Sequence, residues 1–99
     1  MANRPRGLST PGRRLWDAVT GEYELDAPEL ALLEEACKIR DFLADLRAKV
    51  AESGAVIDSA QGPRVHPAAV QGRQQTLALA KVVGALGLPK GALDDIDGS

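Results

Sequence analysis

The stretch from Asp26 to Gly54 constrains this chain more than any other feature. Asp26-Ala27-Pro28-Glu29 has the form of a capping box: an Asp at the N-cap accepts from the backbone three residues on, and the Glu there reaches back. Pro28 falls in the first turn, where no amide partner is required. Between Glu29 and Ser53 there is neither Gly nor Pro, and Gly54 offers a left-handed stop. The pattern predicts a helix of roughly 27 residues, about 40 Å long, against a mean of about 11–12 residues in globular proteins. In a chain of 99 residues, such a helix is the spine on which everything else must pack.

Its apolar positions Leu32, Ala36, Ile39, Leu43, Leu46 and Val50 alternate steps of three and four from Ala36 onward, as in a coiled-coil seam. Leu30, Leu33 and Cys37 widen the stripe at its N-terminal end, and Phe42 lies off it. The remaining face carries Glu34, Glu35, Lys38, Asp41, Asp45 and Lys49, with Glu34–Lys38 and Asp45–Lys49 in the favourable (i, i+4) order.

The flanking segments are simpler. Residues 1–9 read as a flexible basic arm. Thr10 before Pro11 predicts an N-cap and a short helix to about Thr20, with Leu15, Trp16 and Val19 on one side and Gly21 ending it. Val56-Ile57 and Arg64-Val65 on either side of a Gly- and Pro-containing turn predict a small β-hairpin. Pro67 opens a second long helix to about Leu86, whose apolar residues are Val70, Leu77, Leu79, Val82, Val83 and Leu86. Gly84, with Ala78, Ala80 and Ala85, suggests a close backbone approach there, and Gly87 followed by Pro89 ends the helix. Residues 90–99 read as an acidic flexible tail, after a helical domain over residues 10–89. Aromatic residues are limited to Trp16, Tyr23 and Phe42, so the core is built from Leu, Val, Ile and Ala, which favours helix-on-helix packing.

The expected fold is therefore mainly α. Two long antiparallel helices form a helical hairpin, with a short N-terminal helix before them and a small β-hairpin between them. Leu79, Val82 and Leu86 face one way around the second helix and Val70 and Leu77 another, while Leu30, Leu33 and Phe42 lie outside a single seam on the first. A two-helix hairpin does not cover all of these, and exposed apolar area of that size marks an interface. Assembly into a ring-like homo-oligomer would cover it. The competing expectation is that the short helix folds back with Leu15 and Trp16 and closes a three-helix monomer. Leu33, Ile39, Phe42, Leu43, Leu46, Leu77, Val82 and Leu86 are the expected core and oligomer-packing residues.

The formal net charge of −2 argues against a uniformly basic nucleic-acid binder, but the charge is polarised. The first fourteen residues hold Arg4, Arg6, Arg13 and Arg14 and no acid; the last six hold Asp94, Asp95 and Asp97 and no base. Four arginines near a chain end suit phosphate contacts without sequence preference. Arg13 and Arg14 fall in a helix's first turn, where the helix dipole disfavours cations. Cys37 is the only cysteine and His66 the only histidine, so no intrachain disulfide and no usual four-ligand metal site is expected. A Cys37–His66 nucleophile pair is formally available, but a buried small hydrophobe and a structural residue before Pro67 are the simpler roles. Phosphate-binding glycine motifs are absent. No catalytic residue, metal or cofactor is expected, nor a secretory signal or a membrane span.

Several segments together resemble one group of tailed-phage terminase small subunits. They are Gly12-Arg13-Arg14-Leu15-Trp16-Asp17, then Tyr23-Glu24-Leu25-Asp26 before the long helix, then Val65-His66-Pro67, and finally Leu86-Gly87-Leu88-Pro89. The resemblance spans most of residues 7–89. It implies a non-enzymatic, ring-forming protein of the host cytoplasm that recognises viral double-stranded DNA and delivers it to the large terminase subunit, which holds the ATPase and nuclease. Under that resemblance Arg4, Arg6, Arg13 and Arg14 contact DNA, and the tail meets the large subunit or the portal. The chain departs from many small terminases in having no evident helix-turn-helix, which favours backbone or shape recognition over base readout. The second functional expectation is a helical interaction or regulatory module that does not bind DNA.

Overall fold

The computed structural model describes residues 3–54, 56–57 and 62–87; the expected acidic tail and most of the expected turn lie outside them. The protein is mainly helical, with α1 over Thr10–Glu22, α2 over Ala27–Ser53 and α3 over Pro67–Leu86. Strands β1 (Val56–Ile57) and β2 (Arg64–Val65) pair antiparallel between α2 and α3, Val56 opposite Val65 and Ile57 opposite Arg64. A two-residue ladder is marginal alone, and Val56 and Val65 are exposed, so the ribbon is held at its ends by the helices it joins.

Helix α2 begins as its sequence dictates. The Glu29 amide donates to Asp26 Oδ1 at 2.9 Å and the Asp26 amide to Glu29 Oε1 at 3.0 Å, closing the capping box. At the other end the Gly54 amide donates to the Val50 carbonyl. Gly54 has φ 84° and ψ 159°, so the expected left-handed helical stop is instead an extended positive-φ step that sends the chain directly towards β1. Gly87, by contrast, ends α3 in the left-handed conformation, at φ 70° and ψ 22°.

Helix α1 departs from expectation at both ends. Its N-cap is Ser9 rather than Thr10, and the Ser9 side chain makes no capping bond. Instead Asp41, on α2, accepts from the Ser9 amide through Oδ2 and from the Gly12 amide through Oδ1, both at 2.7 Å. The helix also runs through Gly21 to Glu22, because the Tyr23 amide still finds the Val19 carbonyl at 2.9 Å.

Both α1 and α3 pack against α2. Leu15, Trp16 and Val19 of α1 share one core with Leu33, Ala36, Cys37 and Leu43 of α2 and with Leu79 and Leu86 of α3. The connection over residues 23–26 is so short that α1 must run back along the N-terminal half of α2. This rotates the buried stripe. Leu33 and Cys37 are fully buried while Leu32 and Ile39, on the expected seam, are only half-buried. The close backbone approach expected at Gly84 is absent, since a Cβ there would meet nothing within 4 Å. The close approach is at Gly12, where a Cβ would lie 2.7 Å from Asp41 Oδ2 and 2.8 Å from the Cys37 carbonyl oxygen. Among the described residues, no helix is long and apolar enough to cross a membrane.

Candidate functional site

Helix α1 has 13 residues and α2 has 27, so at about 1.5 Å per residue α1 covers roughly half of its partner. Over the covered half, Leu15, Trp16 and Val19 of α1 enter the core that α2 and α3 share. Over the other half, α2 and α3 meet without a third helix and leave an open groove of about 720 Å³. Leu43, Leu46 and Val50 of α2 and Ala68, Ala69 and Gly72 of α3 form its floor. The α3 contribution is small side chains, which is why two packed helices leave a trough. The lips carry Arg47, Arg73, Thr76 and Leu77.

The expected packing residues divide accordingly. Leu33, Leu43, Leu46 and Leu86 are buried, and Ile39 and Val82 are half-buried against the core. Leu77 is 66 % exposed on the groove lip, and Val70, about two helical turns before it, is also exposed. Phe42 is 39 % exposed and does not line the groove. The sequence separated the Leu79/Val82/Leu86 face of α3 from the Val70/Leu77 face, and the structure turns the first inward and the second outward.

The four N-terminal arginines differ in availability. Arg4 Nε lies 3.2 Å from Asp17 Oδ1. Arg13 donates to the Leu8 carbonyl at 3.1 Å and to Thr10 Oγ1 at 3.2 Å, and Leu8 is itself buried in the core. The segment expected as a free arm is thus tied to α1 at two points. Arg6 and Arg14 are exposed and have no ion-pair partner among the described residues. The Asp41 carboxylate at the α1 N-terminus supplies the negative charge that the helix dipole favours there, which accommodates two arginines in the first turn.

Each helix N-terminus has amides already engaged. Asp41 serves α1 and Asp26 serves α2, while His66 Nδ1 accepts from the Ala68 amide of α3 at 2.9 Å. A phosphate would have to displace a side chain to use them. His66 is the structural junction residue that its place before Pro67 suggested.

Cys37 is buried between α1 and α2. Burial, followed by the nearby Asp41, Asp17 and Glu34 carboxylates, pushes its thiol up to about 12, the opposite of an activated nucleophile. His66 lies beyond the far end of α2, on the order of 20 Å along the helix from Cys37. The two are not brought together. Among the described residues no three His, Cys, Asp or Glu side chains converge on a metal-sized site.

The groove was legible in outline, through the surplus of apolar faces, but its Arg47 and Arg73 lips were missed. Nothing local marked them: Arg47 lies between Asp45 and Lys49, and Arg73 between Gln71 and Gln74, on polar turns like any exposed helix face. Comparison of the chain with protein-family models, curated proteins and solved structures finds no match.

Proposed function

We propose that this chain is a DNA-packaging adaptor of the terminase small-subunit kind. In this reading it is a non-catalytic protein of the host cytoplasm whose copies assemble into a ring. The ring holds viral double-stranded DNA and presents it to a large subunit carrying the ATPase and nuclease. The observation that carries the reading is the open groove: one copy leaves an apolar trough of about 720 Å³ that its own described residues do not fill. A lone soluble chain gains nothing from such a surface, whereas a repeating assembly buries it.

The DNA contact rests on the exposed Arg6 and Arg14, with Arg4 and Arg13 beside them as secondary contributors. Multiplied around a ring, two exposed guanidinium groups per copy would add up to a cationic surface that grows with copy number. Such a surface attracts the phosphate backbone without reading bases.

The test combines native mass with DNA retention over a salt series. A discrete particle of six or more copies that binds duplex DNA, with affinity falling steeply as salt rises, is the expected result. Arg6→Glu with Arg14→Glu weakens retention at least tenfold and leaves the particle mass unchanged. Arg13 is left intact because its hydrogen bonds hold the Leu8 segment. A particle that assembles but never retains DNA supports the interaction-module alternative instead.

A further inference from the structure

We propose that the groove between α2 and α3 seats residues 92–97 of a neighbouring copy, an inference that rests on the assembly reading above and names the contact that builds it. The groove combines an apolar floor with two exposed cations on its lips, Arg47 and Arg73, neither of which has an ion-pair partner among the described residues. Its occupant must therefore be apolar and acidic together. Residues 92–97 read Ala-Leu-Asp-Asp-Ile-Asp, with Leu93 and Ile96 to enter the trough and Asp94, Asp95 and Asp97 to meet the arginines. No six-residue stretch outside residues 92–98 combines three carboxylates with two branched aliphatic side chains and no base.

Other occupants fit less well. Two grooves packed face to face would bring four arginines together, and like charges at an interface are strongly disfavoured. Duplex DNA has no use for an apolar floor. The same chain's own segment reaches the groove only by doubling back along α3. Helix α3 runs away from the groove, so from Gly87 the chain must return about 21 Å to the level of Arg73 and about 28 Å to that of Ala68. Leu93 lies six residues past Gly87, which spans at most about 20–22 Å fully extended. That leaves little slack at the far end of the groove, while the near end at Leu77 is within reach, and the mixing experiment below separates the two donors. A segment from an adjacent copy arrives without that constraint. Donor and acceptor are then different surfaces, so the contact is head-to-tail and closes into a ring when the rotation allows.

Charge reversal on the full-length chain tests this by native mass. Arg47→Glu with Arg73→Glu gives a chain of about the one-copy mass of 10.4 kDa, and so does Asp94→Lys with Asp95→Lys and Asp97→Lys. An equimolar mixture of the two recovers the wild-type assembly, because each variant's segment now matches the other's groove. Unchanged helical circular dichroism establishes that each variant is folded. Leu93→Asp with Ile96→Asp leaves all three helices untouched and gives the same loss of mass. An oligomeric wild type whose mass ignores the Arg47 and Arg73 reversal overturns the seat and leaves the assembly reading standing. Loss of mass that mixing fails to recover overturns the charge pairing between copies. A wild type that is monomeric throughout overturns the assembly reading itself, and this inference with it.

Discussion

Leu33→Ala lowers the free energy of unfolding by about 2–5 kcal/mol, the range for a large apolar side chain removed from a packed core. Leu33 has no exposed surface and sits where α1, α2 and α3 share one cluster, so the cavity it leaves is enclosed on every side and cannot collapse cheaply. The adjacent Leu32, which the expected seam placed at the packing stripe, is only half-buried. Leu32→Ala therefore loses clearly less. Phe42→Ala, although it deletes the larger side chain, loses less than Leu33→Ala because the ring is 39 % exposed. Urea unfolding at one fixed protein concentration gives all three values, since a concentration change would mix association with stability. Equal losses for Leu32 and Leu33 would place the buried face where the heptad pattern had it.

Gly12→Ala loses about 1–3 kcal/mol, the range for overpacking a well-packed site. The added methyl would stand 2.8 Å from the Cys37 carbonyl oxygen, a backbone atom within a helix, and 2.7 Å from the carboxylate oxygen that caps α1. Neither gives way without moving α1 off α2. Asp41→Ala acts on the same joint from the other side, leaving the Ser9 and Gly12 amides without their acceptor. It costs about 1–3 kcal/mol as well, because hydrogen bonds to a charged group are the stronger kind. The double variant loses little more than the worse single, since both break one contact. Trp16 is the sole tryptophan, 3 % exposed beneath this joint, so a red shift of its emission reports α1 lifting while α2 and α3 remain helical. Additive losses with unshifted emission would mean that Gly12 and Asp41 are not one device.

These two experiments mark where the chain's architecture can be read locally and where it cannot. The capping box at Asp26 and Glu29 and the left-handed stop at Gly87 follow from residues within one helical turn of each other, the length of α2 follows from a run free of Gly and Pro, and each is seen. The cap of α1 comes from Asp41, 32 residues beyond Ser9, and nothing near Ser9 announces it. Gly12 looks in sequence like a residue that merely weakens a helix; its purpose appears only when α2 lies against it. Gly84 invites the opposite mistake, since its small neighbours suggest a tight crossing that the packing does not use. The rotated stripe on α2 has a cause that was present in the sequence: four residues between α1 and α2 force the short helix onto the nearer half. The groove follows from the same fact, as the part of α2 that 13 residues cannot reach. Its arginine lips do not, because their positions depend on how two helices meet.

The half-covered spine has a kinetic corollary. A double-walled end and a single-walled end within one rod open with different free energies, and the thinner end opens first. Backbone amides of residues 43–53 and 67–76 therefore trade hydrogen for deuterium sooner than those around Leu15 and Leu33, until something fills the trough. Once it is filled the difference narrows, so the order in which the two ends exchange reads out occupancy directly, without any label on the partner.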